Sequence, residues 1–280
     1  MTDVNISNLS NVAPALPKVM GAKTFNRIYG GHETLGGVYK LHQKIAAEFL
    51  ATMLFVFGVV SSSVYLGGIG GILGCSAIGG IMIYIFGRVS GAHFNPAISL
   101  ALFIRQKLSA MEFGLYVAAQ IVGSFIACLL FVLVRRGKFN NFAGNEIQFG
   151  VLDPDDESKD GWSYVGAFIM EIILTFILIM FILASCEKDN YLGPSLGLAF
   201  SLTLLACSFI GGGVSGCSMN PARSLAPALI MGGEPLRQVW VFMIFPMVGA
   251  FIAAYLYMFL LGGEKKDEKK ENYIEMKDKE

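Results

Sequence analysis

Six long apolar stretches, at 43–66, 70–88, 112–134, 163–185, 195–211 and 238–261, recur along the chain with few charges inside them. A helix of about 20 such residues crosses a hydrocarbon layer of roughly 30 Å. At 1.5 Å per residue, the stretch 43–66 would be about 36 Å long, enough to cross with some tilt. Two shorter apolar pieces, 95–106 and 220–231, would each reach only about 17 Å, roughly half the layer. Both begin with Asn-Pro-Ala after a glycine-containing turn. The pattern predicts an all-α integral membrane protein with six transmembrane helices and two re-entrant half-helices. Polar segments divide it: an N-terminal segment 1–42, a connecting loop 135–162 with five acidic residues between Asp153 and Asp160, and a charged tail 262–280.

Composition agrees with the pattern. Hydrophobic residues make up 54% of the chain and charged residues 15%, against about 25% charged in soluble domains. Mean hydropathy is +0.60, which excludes disorder and a small secreted scaffold. Acidic and basic residues balance at 21 each, so no field points to nucleic acid. The five cysteines, Cys75, Cys128, Cys186, Cys207 and Cys217, lie in or beside apolar stretches. Their odd number and spacing suggest neither a disulfide framework nor a metal site. No nucleophile–base pair stands out, so no enzyme and no cofactor are expected.

The chain repeats itself. Ser90-Gly-Ala-His-Phe-Asn-Pro-Ala-Ile-Ser-Leu-Ala101 aligns with Ser215-Gly-Cys-Ser-Met-Asn-Pro-Ala-Arg-Ser-Leu-Ala226, identical at eight of twelve positions. Val122-Gly-Ser-Phe-Ile-Ala127 aligns with Val248-Gly-Ala-Phe-Ile-Ala253, and Glu48 and Glu171 correspond. The first repeat spans 43–134 and the second 163–261. Each holds three crossings, an odd number, so the second copy enters from the opposite side. The repeat is expected to be inverted about a pseudo-two-fold axis in the membrane plane. Both termini then share a side. Of the 21 Lys and Arg, only Arg135, Arg136, Lys138, Lys159, Arg223 and Arg237 fall on the far side. The excess on the terminal side predicts cytoplasmic N and C termini.

The two turns have a chemistry of their own. Asparagine is a preferred N-cap, and proline suits the first helical position because its missing N–H has no helical partner there. Asn95-Pro96-Ala97 and Asn220-Pro221-Ala222 therefore each open a half-helix, with the Asn side-chain oxygen capping it. The amide N–H groups are left to donate into a cavity. Both positive helix ends meet near mid-depth by the inverted symmetry. A neutral solute with oxygen lone pairs can accept hydrogen bonds there, whereas cations and protons meet a barrier. Arg223 follows the second triplet and is expected to aim its donors into a pore mouth. Glu48 and Glu171 are expected to accept backbone N–H groups of the adjacent irregular turns rather than to relay protons. His93 is read as structural support of its turn. Small-residue spacings, Ser76 with Gly80, Gly87 with Gly91 and Gly193 with Gly197, suit close helix contacts.

On these residues the chain resembles the aquaporins, or major intrinsic proteins. The resemblance rests on Ser90–Ala97, Gly216–Ser224, Glu48 and Glu171 and covers about 43–261. It implies a passive channel in a lipid bilayer, a homotetramer with one pore per subunit, passing water or small neutral solutes. It places the channel in a plasma membrane or an intracellular vesicle membrane. It also implies an outer selectivity filter of Cys75, Ser208, Cys217 and Arg223, with Cys207 or Phe209 replacing Ser208 if the alignment shifts by one. Water channels usually carry Phe and His at the first two of these positions, and glycerol channels Trp and Gly; this chain has neither pair. Ser224, Ala228 and Phe242 resemble the water branch. The expectation is an osmotically driven water channel, the alternatives being a channel for glycerol or similar solutes and a gated or poorly permeable structural protein. Gating would come from the N-terminal segment, with Tyr29 and Tyr39, or from loop 135–162 folding over a mouth.

Overall fold

The structure, a computed structural model, describes residues 39–137, 144–147, 161–186, 192 and 195–261. Tyr29, the acidic cluster of the loop and the charged tail lie outside the described residues. Six helices are long and apolar enough to cross a membrane: α1 (Leu41–Tyr65), α2 (Gly68–Ser90), α4 (Ala110–Val134), α5 (Gly161–Ser185), α6 (Leu196–Ser215) and α8 (Gly233–Leu261). Two short helices, α3 (Pro96–Ile104) and α7 (Pro221–Met231), stand where the half-helices are expected. Among the described residues there is no strand.

Local signals set the ends. Asn95 caps α3 by accepting from Ala97 N at 2.8 Å. Asn220 caps α7 by accepting from Ala222 N at 3.1 Å and Arg223 N at 3.3 Å. Proline occupies the first turn of both. Ser109 and Glu112 form a reciprocal capping box at the start of α4. Helix α8 begins five residues before the apolar stretch at 238. Pro235 fits its first turn, and Gln238 is buried, accepting from Ile147 N of the connecting loop, rather than solvated. Helix α6 runs four residues past 211 and ends at Gly216, which takes the left-handed conformation.

Packing repeats with the sequence. Helix α1 lies against α2 and α4, and α5 lies in the same way against α6 and α8. Helix α2 contacts α6 across the centre. Each half-helix also packs on the last helix of the other repeat, α3 on α8 and α7 on α4. A Cβ on Gly123 would stand 2.5 Å from Phe49 O, and one on Gly249 would stand 2.5 Å from Ile172 O. These are the matched glycines of the two repeats, and they let α4 and α8 touch the backbones of α1 and α5. Gly80 and Gly197 meet backbone to backbone between α2 and α6. The outward faces carry exposed apolar side chains such as Leu73, Leu133, Ile169, Phe251 and Phe259, as a bilayer-facing surface requires.

Candidate functional site

The irregular turns before the half-helices are built on buried carboxylates. Glu48 and Glu171 have no exposed surface. Glu48 Oε1 accepts from Ser90 Oγ at 2.6 Å and His93 N at 2.9 Å. Its Oε2 accepts from Phe94 N and Gln120 Nε2, both at 2.8 Å. Glu171 Oε1 accepts from Ser215 Oγ at 2.6 Å and Ser218 N at 2.9 Å, and its Oε2 from Met219 N at 2.8 Å. These N–H groups lack helical partners, and a buried unpaired donor is costly. The same turns hold Ala92, Phe94, Cys217 and Met219 at positive φ, between 37° and 50°. Non-glycine residues there carry strain of about 1–3 kcal/mol each. The convergent bonds to the carboxylates offset it.

The two half-helices face each other through reciprocal bonds. Asn95 Nδ2 donates to Met219 O at 2.8 Å, and Asn220 Nδ2 donates to Phe94 O at 2.9 Å. Each asparagine thus uses its oxygen to cap its own half-helix and one N–H to bind the other turn. An amide nitrogen has two N–H groups, so these bonds engage one of the two on each asparagine, where the sequence leaves both to face a cavity. The exchange is symmetric and places the pseudo-two-fold axis between the two N-termini. Both asparagines are buried, at 3% and 4% exposure.

His93 is buried, its Nδ1 3.1 Å from Ser99 Oγ. Gln120 Nε2 also donates to Ser99 Oγ at 2.9 Å. At the matching positions of the second repeat, Ser218 and Ser224 bond hydroxyl to hydroxyl. Tyr116 Oη ties this half to the end of α2 by donating to Ser90 O at 3.0 Å.

On the Arg223 side lies a cavity of about 340 Å³. Cys75, Ser208, Cys217 and Arg223 all line it, together with Gly67, Gly68, Gly71, Gly212 and Gly216. No aromatic side chain is among its lining residues. Cys207, by contrast, is buried, with its thiol 3.8 Å from Leu174 O, and Phe209 is more than half exposed. Of these three neighbours, Ser208 is the one that reaches the cavity.

Arg223 is buried at 8% exposure, and sequence reasoning missed the residue that holds it. Asn145, from the loop between repeats, is buried and accepts from Arg223 Nη1 and from Ser224 Oγ through its Oδ1. Its Nδ2 donates to Gly216 O at 2.8 Å. Two residues on, Ile147 N donates to Gln238 Oε1 at 2.8 Å. The described part of the loop is thus fastened to α8 and to the second turn. An Asn in a polar loop carries no periodicity that marks it. Among the described residues, no group of three or more His, Cys, Asp or Glu could hold a metal ion.

The model of the major intrinsic protein family matches residues 38–257. Aquaporin NIP1-1 of Oryza sativa subsp. japonica is 35% identical over 225 residues, covering 77% of this chain and 73% of that protein. Nodulin-26 of Glycine max is 34% identical over 225 residues, covering 77% and 76%. The fold is similar to the X-ray structure of the aquaglyceroporin from Plasmodium falciparum, with a TM-score of 0.66 at 23% identity, over 79% of this chain and 97% of that one.

Proposed function

This chain belongs to the major intrinsic protein family, a multi-pass membrane channel and not an enzyme, and from that premise we propose that it conducts small uncharged polar solutes, water among them, down their gradients. The observation that carries the reading is the cavity lined by Cys75, Ser208, Cys217 and Arg223, without an aromatic wall. Its volume, about 340 Å³, falls within the ~300–1,000 Å³ of small-molecule sites. Arg223 supplies hydrogen-bond donors for a solute oxygen, and Ser208 can donate or accept. At mid-depth, the remaining N–H of Asn95 and of Asn220 donates to the same oxygen. The two half-helix N-termini each carry roughly half a positive charge, so a cation or proton meets repulsion from both sides.

A strict water channel is the second reading, favoured by Ser224, Ala228 and Phe242, which resemble the water branch. A homotetramer with one pore per subunit and cytoplasmic termini complete the proposal. The outer faces carry exposed apolar side chains such as Leu73, Leu133 and Phe251, which suits subunit or lipid contact.

Liposomes containing the purified protein test it. In a sucrose step they should shrink faster than empty liposomes. In a glycerol step they should shrink and then re-swell. Shrinkage without re-swelling selects strict water transport, and no gain over empty liposomes in either step overturns the channel reading.

A further inference from the structure

Five glycines line the cavity on the Arg223 side, and four of them have a structural reason to be glycine. Gly67, Gly68 and Gly216 sit at φ of +59°, +40° and +70°, where a side chain is strained. A Cβ on Gly71 would come within 3.1 Å of the Ser63 backbone. Gly212 has neither reason. It lies inside α6 with ordinary helical φ, and a Cβ built on it meets no heavy atom within 4 Å. Glycine inside a helix costs about 1 kcal/mol relative to alanine, and nothing in the packing around Gly212 returns it. One turn earlier on the same face stands Ser208, which lines the same cavity.

We propose that Gly212 is a specificity-determining position: its missing side chain sets the width of the mouth just beyond the ring of Cys75, Ser208, Cys217 and Arg223. This rests on the reading of the cavity as the path of small neutral solutes. A side chain at 212 projects from the wall of α6 into space that a solute must cross. Water, the smallest permeant, is affected least, and the effect grows with solute size. Gly213 supplies the control. It is exposed on the neighbouring flank of α6, also has open space around its Cβ, and does not line the cavity.

The experiment compares wild type, Gly212→Ala, Gly212→Val and Gly213→Val in liposomes, with water, glycerol and a four-carbon polyol as permeants. The expected result is a graded loss at 212, the four-carbon polyol first and glycerol next, reaching about tenfold for glycerol in Gly212→Val, an increase in barrier of about 1.4 kcal/mol. Water permeability should change far less, and Gly213→Val should match wild type. Thermal unfolding in detergent should show the 212 variants at least as stable as wild type, which separates narrowing from misfolding. A wild type that re-swells in polyols while Gly212→Val keeps the same solute-to-water ratio overturns the assignment of Gly212 and leaves the solute reading standing. Equal loss in Gly213→Val also overturns it. A wild type that passes no polyol removes the solute reading, and the role of Gly212 with it.

Discussion

At the scale of single residues, the turns work because a carboxylate replaces the missing turn of helix. Glu171 binds two backbone N–H groups and a hydroxyl, next to two residues at positive φ. Glu171→Ala strands those donors, at about 1–3 kcal/mol each, against a total stability of roughly 5–15 kcal/mol. The variant should extract mostly as aggregate, measured by size-exclusion chromatography in detergent. Asn145 acts differently. Its side chain holds Arg223, Ser224 and the carbonyl of Gly216 at the end of α6. Asn145→Ala should leave the protein folded and let the guanidinium swing into the cavity. Osmotic water permeability should then fall by about tenfold, the equivalent of about 1.4 kcal/mol in the barrier. Asn145→Asp keeps the acceptor and should recover most of it, as stopped-flow light scattering would report.

At the scale of helices, the two repeats share crossings but not every polar contact. Gly123 and Gly249 sit where a Cβ would press on the backbone of α1 and α5. Gly249→Leu has no void to enter, since the nearest atoms are Ile172 backbone and Thr175 Cβ. Overpacking of this kind costs about 1–3 kcal/mol. Its melting temperature should drop well below that of Gly114→Ala, where a Cβ meets nothing within 4 Å. The repeats differ where α4 carries Gln120 and α8 carries Pro246. Gln120 reaches Glu48 and Ser99, whereas the proline ring carries no hydrogen-bonding group. On the other side the work passes to Asn145, brought in by the loop. One half of the pore is thus supported from a helix and the other from a connection.

At the scale of the molecule, reciprocal bonds between Asn95 and Met219 and between Asn220 and Phe94 join the halves at their axis. Neither repeat can complete its own turn without the other. The charge distribution makes a separate forecast about the membrane. With only six Lys and Arg on the Arg223 side of the 21 in the chain, the termini should be cytoplasmic. An N-terminal epitope should stay hidden in intact cells and become accessible after permeabilisation, while a tag in loop 135–162 should be reached from outside. The opposite labelling pattern would reverse the orientation.

How much of this was legible follows from the range of each interaction. Six spans, two half-helices, the duplication and the pairing of Glu48 with Glu171 depend on hydrophobic length and local capping, which nearby residues encode. The ends of α6 and α8 moved because tertiary contacts around Gln238 and Gly216 decide where a helix stops, and those contacts are distant in the chain. The bond of each asparagine amide to the opposite turn, the choice of Ser208 over its neighbours, and the hold of Asn145 on Arg223 are all set by which surfaces the fold brings close together. Local pattern determined which elements form and that they come in two copies. Only the tertiary structure decided which donors are left facing the cavity, because that depends on which of them find protein partners first.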